Sequence, residues 1–153
     1  MKKVLFVCLG NICRSPLAEG LFNHQVQEMG LQDKFIADSC GTAAYHIGEQ
    51  PDGRSVANAK DNGLIYSHAA RQVQDEDFNE FDIIIPMDAS NMSTLKKIDT
   101  GGSAKLQLMR DYDSGFEGVD VPDPYFGGEQ GIQEVYDILN RSTKALLEDL
   151  LEE

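Results

Sequence analysis

Long apolar runs are missing from this chain. None approaches the length of a membrane span, and residues 1–8 lack the apolar core and cleavage site of a signal peptide, so neither a span nor an export signal is expected. Positive charge is scarce as well: 13 lysines and arginines against 26 aspartates and glutamates leave a net charge of −13. That balance argues against nucleic acid and anionic membranes as partners, and it repels phosphorylated substrates at long range. Any phosphate site must therefore rest on a local positive field. Cysteine is sparse and odd in number, at Cys8, Cys13 and Cys40, which excludes a disulfide scaffold and fits a reducing, cytoplasmic setting. No internal repeat, low-complexity tract or linker interrupts the 153 residues, so one domain over 1–153 is expected, long enough to bury a core. The acidic clusters Asp75-Glu76-Asp77 and Glu148 to Glu153 read as solvated surface, not as metal ligands.

What the chain does contain is concentrated near its start. Val4-Leu5-Phe6-Val7 reads as a buried strand. Cys8, Gly10 and Asn11 follow, and Ser15-Pro16 then opens an apolar-periodic segment, the signature of a helix start with Ser15 as N-cap. Strand, tight loop and helix N-terminus in that order make an anion site from backbone N–H groups and the helix dipole. Arg14 adds a planar fork that can hold two oxygens of one phosphate. A thiol at Cys8 faces the same positive field, which favours the thiolate, the nucleophilic form.

The remaining elements follow from periodicity and punctuation. The spacing of Leu17, Ala18, Leu21, Phe22 and Val26 predicts a helix from Ser15 to about Met29, stopped by Gly30. Strands are predicted at 35–39, 81–85 and 105–109, and helices at 54–62, at 91–98 and over an amphipathic C-terminal stretch carrying Ile132, Val135, Tyr136, Leu139, Leu146 and Leu150. The segment 68–73 is ambiguous. Alternating strands and helices with long crossovers predict an α/β fold around a parallel sheet, whose ligands bind outside the carboxyl ends of the strands. Asp111 to Gly128 reads as a long surface loop, and loops of that length are more often functional than idle. Asp120 and Asp123 are equal candidates within it for an acid; Asp123 precedes Pro124, which biases it toward an extended backbone.

Cys8-Leu-Gly-Asn-Ile-Cys-Arg-Ser-Pro, with Asp123-Pro124-Tyr125 far downstream, resembles the low-molecular-weight protein tyrosine phosphatases over essentially the full chain. Ser39-x-Gly41-Thr42, Gly48, His68-x-x-Arg71-Gln72 and Met87-Asp88-x-Ser90-Asn91 also fall where that family has similar residues. The resemblance implies a three-layer α/β sandwich, with a central, mostly parallel four-stranded sheet flanked by helices. It implies Cys8 as nucleophile, Arg14 as phosphate ligand and Asp123 as general acid. It further implies that the phosphate lies on the loop Leu9, Gly10, Asn11, Ile12 and Cys13. Ser15 would support the thiolate, Ser39 and His68 would hold Asn11, and Ile12, Tyr45 and Tyr125 would form a slot for a flat ring. Cys13 is expected to capture an oxidised Cys8. Phe126 stands where many relatives carry a second tyrosine, and Tyr45 where some carry Trp. No metal or other cofactor is expected, the partners are phosphotyrosine-containing proteins, and the chain is expected to be a monomer.

Three other activities fit the loop less well. Arsenate reductases of this type relay a disulfide through later cysteines, and none follows Cys40. Protein-arginine phosphatases typically carry Thr where this chain has Ile12, and an apolar residue suits an aromatic ring better than a guanidinium. An inactive phosphotyrosine-binding module would have lost the nucleophile, the arginine or the acid, yet all three are present.

Overall fold

The computed structural model describes residues 1–153 apart from the side chain of Phe126. Its strands are β1 (Lys2–Cys8), β2 (Phe35–Gly41), β3 (Ile83–Pro86) and β4 (Lys105–Leu106). They form one sheet in the order β2-β1-β3-β4, and every pairing is parallel. Its helices are α1 (Arg14–Glu28), α2 (Gly53–Asp61), the single turn α3 (Asp77–Glu80), α4 (Ala89–Ile98) and α5 (Gly128–Leu151). Two 3-10 turns, Met109–Tyr112 and Pro124–Phe126, punctuate the long loop before α5.

The uninterrupted apolar run of β1 has a direct cause: both faces of the strand are covered. Val4, Phe6 and Cys8 face one core shared with Leu17, Leu21 and Phe22 of α1 and with Val135, Leu139 and Leu146 of α5. Leu5 and Val7 face the other, with Phe78 of α3, Ile84 of β3 and Leu95 of α4. Helices thus lie on both faces of the sheet, giving the expected three layers. Phe6 meets Phe22 edge-on, with centroids 5.9 Å apart, a favoured aromatic geometry. Because β1 is central and its neighbours run parallel to it, its carboxyl end opens between β2 and β3, where the chain leaves for the Cys8–Arg14 loop.

Some expectations need correction. Ser15 is not the N-cap of α1. Cys13 takes that position without a side-chain bond, and Ser15 lies inside the first turn because its hydroxyl is committed to the loop beneath. Asp77 is not solvated surface: it is 4% exposed and receives two guanidinium bonds from Arg71, which also grips Asp38. The ambiguous segment 68–73 contributes only one bridge, Gln72 to Gly41. β4 is two residues long, because Met109 already turns into a 3-10 helix.

Candidate active site

β1 delivers Cys8 to the carboxyl edge of the sheet, and α1 begins at Arg14, so residues 9–13 form a loop between strand end and helix start. Gly41, at the end of β2, passes directly beneath this loop. A Cβ there would lie 2.6 Å from the Leu9 carbonyl oxygen, so only glycine fits. Cys8 is 3% exposed, and its sulfur receives the Asn11 backbone N–H at 3.3 Å and lies 2.9 Å from the Ser15 hydroxyl. Ser15 accepts from the Asn11 amide at 2.8 Å. Its own proton therefore has two possible acceptors, the Cys40 carbonyl at 3.3 Å and the nearer sulfur. The Asn11 N–H, joined by the Ser15 hydroxyl when it turns to the sulfur, supplies the donors that a thiolate nucleophile requires.

Asn11 shapes the loop. Among the described residues it is the one non-glycine with positive φ, at 59°, a conformation that asparagine tolerates. Its side chain is buried and fully employed. The amide nitrogen donates to Ser15 Oγ and, at 3.1 Å, to Ser39 Oγ; the oxygen accepts from the Arg71 N–H at 3.0 Å and meets His68 Nε2 at 2.9 Å. Because that oxygen can only accept, the hydrogen-bond pattern assigns a proton to His68 Nε2. Asn11, Ser15, Ser39 and His68 therefore lie beneath the loop rather than in the cleft above it.

The sequence reading missed Glu19, which completes this bracket. Its carboxylate accepts from Ser39 Oγ at 2.7 Å and lies 3.1 Å from His68 Nδ1. The signal was a polar residue four positions after Ser15, on the same side of α1. Burial raises the Glu19 carboxyl to about 7 from an ordinary 4.5 and lowers His68, each shift favouring the neutral form of its group. Glu19, Asp38 and His68 offer ligand atoms within 4.8 Å of one another. Each already has a protein partner, Asp38 in Arg71 and the other two in this network. Through Ser39 and His68, Glu19 braces Asn11.

The shift has a sign that can be tested. Glu19 binds its proton more tightly folded than unfolded, so its contribution to stability is complete below about pH 4.5 and is lost as pH rises through about 7. Glu19→Gln should lack that dependence. In urea unfolding at about pH 5 and about pH 8, the variant should gain on the parent by about 1–2 kcal/mol at the higher pH. His68, lowered by burial, pulls the opposite way in both proteins. An unchanged difference between the two conditions would show that Glu19 does not titrate there.

Arg14 is 5% exposed and pinned from one side. Its Nη1 donates to Asp88 Oδ2 at 2.8 Å and to the Val121 carbonyl at 2.9 Å. Nε and Nη2 take no bond among the described residues, and Arg14 lines the cleft. Asp88 stands in the sequence only as part of the family-like stretch 87–91, with no role assigned to it. It caps α4 through the Asn91 N–H and fixes the guanidinium with its second oxygen.

The cleft over Cys8 has a volume of about 130 Å³. Leu9, Gly10, Ile12, Cys13 and Arg14 line its floor and sides, and Tyr45, Asp123 and Tyr125 stand around it. Tyr45 and Tyr125 are 74% and 64% exposed, rings that project from the rim rather than pack into the core. His46 joins this rim unforeseen; its ring lies against Gly10 and its Nδ1 meets Glu49 at 2.6 Å. Burial, reinforced by Asp52, pushes the Cys13 thiol up to about 12, so it stays neutral. Asp123 has the extended backbone expected before proline, and its Oδ1 accepts the Tyr125 N–H at 2.9 Å. Asp120, its rival in the sequence, is instead bonded to the Ala89 N–H, away from the cleft lining. The Phe126 side chain lies outside the described residues.

The Cys8 sulfur, the Arg14 guanidinium and the Asp123 carboxyl around one cleft form a constellation suited to phosphoryl transfer. Comparison with known proteins is consistent with that chemistry. Residues 3–153 match the family model described as low molecular weight phosphotyrosine protein phosphatase. A low molecular weight phosphotyrosine protein phosphatase of Schizosaccharomyces pombe is 45% identical over 136 residues, covering 88% of this chain and 87% of its own. The crystal structure of a protein tyrosine phosphatase from Entamoeba histolytica superposes with a TM-score of 0.94 at 40% identity, covering 99% of this chain and 98% of that one. A Drosophila arginine phosphatase superposes with a TM-score of 0.90 at 34% identity, covering 98% of each chain. The chain belongs to the low molecular weight phosphotyrosine protein phosphatase family.

Proposed function

We propose that this protein is a metal-independent phosphomonoesterase acting on phosphotyrosine in proteins. One observation carries the reading: Cys8, Arg14 and Asp123, from the start and the far end of the chain, line a single cleft. The Cys8 sulfur attacks phosphorus, the ester bond breaks, and the phenolate oxygen takes the Asp123 proton as it leaves. Loop N–H groups and Arg14 hold the charge on the equatorial oxygens during transfer. A water then gives its proton to the Asp123 carboxylate and attacks the cysteinyl-phosphate. This releases phosphate and returns the thiolate, which the Ser15 hydroxyl and Asn11 N–H stabilise as a leaving group.

Ile12 favours a flat ring over a guanidinium in a slot walled by Tyr45 and Tyr125. Under peroxide, a Cys8 sulfenic acid would condense with the Cys13 thiol, forming a disulfide and releasing water, which spares Cys8 from further oxidation. No described helix is long and apolar enough to cross a membrane. A single catalytic unit working as a cytoplasmic monomer is the simplest setting for this chemistry.

The test is a substrate panel under one set of conditions with EDTA present: phosphotyrosine, phosphoserine, phosphoarginine and arsenate. Phosphotyrosine should be hydrolysed well ahead of the others. Faster turnover of phosphoarginine would transfer the chain to the activity named for its Drosophila neighbour, and inactivity with EDTA reversed by a divalent cation would end the metal-independent mechanism.

A further inference from the structure

The loop that brings Asp123 to the cleft runs from Gln107 to Gly127 with only two 3-10 turns for regular structure. Few backbone bonds restrain such a segment, yet an acid must hold its place to within a fraction of an ångström. Near the start of this loop lies a buried carboxylate that the proposed mechanism does not use. Asp113 is 3% exposed. Its oxygens accept from Arg110 Nε at 3.0 Å and from Arg141 Nε and Nη2 at 2.7 and 3.1 Å. The Phe116 ring lies under both guanidiniums, 4.5 Å from Arg110 and 5.6 Å from Arg141.

The far side of this cluster leads to the active site. Arg110 Nη1 donates to the Asp120 carbonyl at 3.3 Å. The next residue, Val121, donates its N–H to Met87 and offers its carbonyl to Arg14. Asp123 follows two residues later. An unbroken path thus joins α5, through Arg141, Asp113 and Arg110, to the backbone that carries the acid and touches the phosphate-binding arginine.

We infer that Asp113 is a positioning residue for the general acid: it clasps Arg110 to Arg141 and so holds the Asp120–Asp123 backbone at the cleft. The inference rests on the phosphatase reading above. Burial alone would raise the Asp113 carboxyl, but hydrogen bonds and charge from Arg141 and Arg110 overcome it and hold the group below its ordinary value. The clasp is therefore charged throughout the neutral range. Composition gave no hint of it, because aspartate in a loop rich in Gly and Pro reads as a turn residue.

The experiment compares kcat/KM across aryl phosphates, from phenyl phosphate, whose leaving group needs a proton, to dinitrophenyl phosphate, whose leaving group does not. Asp113→Asn should lower the phenyl value about tenfold and leave the dinitrophenyl value within about twofold. Arg141→Met, at a half-exposed position and so gentler on the fold, should show the same skew at smaller amplitude. In an Asp123→Asn background, Asp113→Asn should add little, because there is no acid left to place. An equal loss on all esters in both single variants, or full additivity with Asp123→Asn, would reduce the clasp to a fold-stabilising contact and overturn the inference. The wild type serves as the separate control. If it fails to hydrolyse any of these esters with EDTA present, the phosphatase reading falls; if it hydrolyses them and the variants show no skew, only the clasp falls.

Discussion

Cys8→Ser should abolish hydrolysis of aryl phosphates, lowering kcat by about 10⁴-fold or more, while the protein still binds phosphate. The replacement is nearly isosteric, and the site is buried and built around its partners: the Asn11 N–H at 3.3 Å and the Ser15 hydroxyl at 2.9 Å. A serine hydroxyl can occupy that place. It cannot supply the reaction, because no base adjoins position 8 to take its proton; the nearest groups are donors, and the Ser15–Asn11 network leads to a His68–Glu19 pair committed to Asn11. The anion ligands do not change. Arg14 is fixed by Asp88 and Val121, and the loop backbone is held by Asn11 from below. Calorimetric titration with phosphotyrosine should therefore give an affinity within about threefold of an inert-substrate reference on the wild type. Turnover retained within about tenfold of the wild type would rule out Cys8 as the nucleophile.

The segment from β1 into α1 was readable because its signals are local. Val4–Val7 demands burial on two faces, and Cys8, Asn11, Arg14 and Ser15 fall within two turns of chain. The strand order was not readable. It depends on which crossovers land on which side of β1, and only pairing through space decides that. Errors cluster where a polar residue bonds across the chain. Ser15 has the sequence signature of a cap, yet its hydroxyl turns to Cys8, which leaves the first-turn N–H groups of α1 without a side-chain cap at the anion end. Asp77 sits in an acidic triplet that composition assigns to solvent, and Arg71 buries it. Glu19, Asp88 and Asp113 bond Ser39, Arg14 and Arg141, which lie 20, 74 and 28 residues away in the chain. No window of sequence contains both members. Asp123 stands between these cases. Its extended backbone follows from Pro124, its priority over Asp120 comes from the family resemblance, and the structure adds that Asp120 is bonded to the Ala89 N–H.

Asp123→Asn should separate substrates by leaving group. Asparagine keeps an oxygen to accept the Tyr125 N–H, so the Pro124–Phe126 turn and the position of Tyr125 are preserved. What disappears is the proton. For phosphotyrosine and phenyl phosphate, kcat/KM should fall by about 10²–10³-fold, the usual worth of a positioned acid. For dinitrophenyl phosphate it should fall by less than about threefold, because that phenolate departs unassisted. The second step divides the effects further. Water attack on the cysteinyl-phosphate needs the Asp123 carboxylate as base, so kcat for the good ester should drop more than its kcat/KM, and a burst of dinitrophenol should precede the slow steady state. Asp120→Asn retains the acceptor for Ala89 and should stay within a few-fold on every ester. If Asp123→Asn slowed both ester classes equally and gave no burst, the carboxyl would be shaping the cleft rather than moving a proton, and the acid would have to be sought elsewhere on the rim.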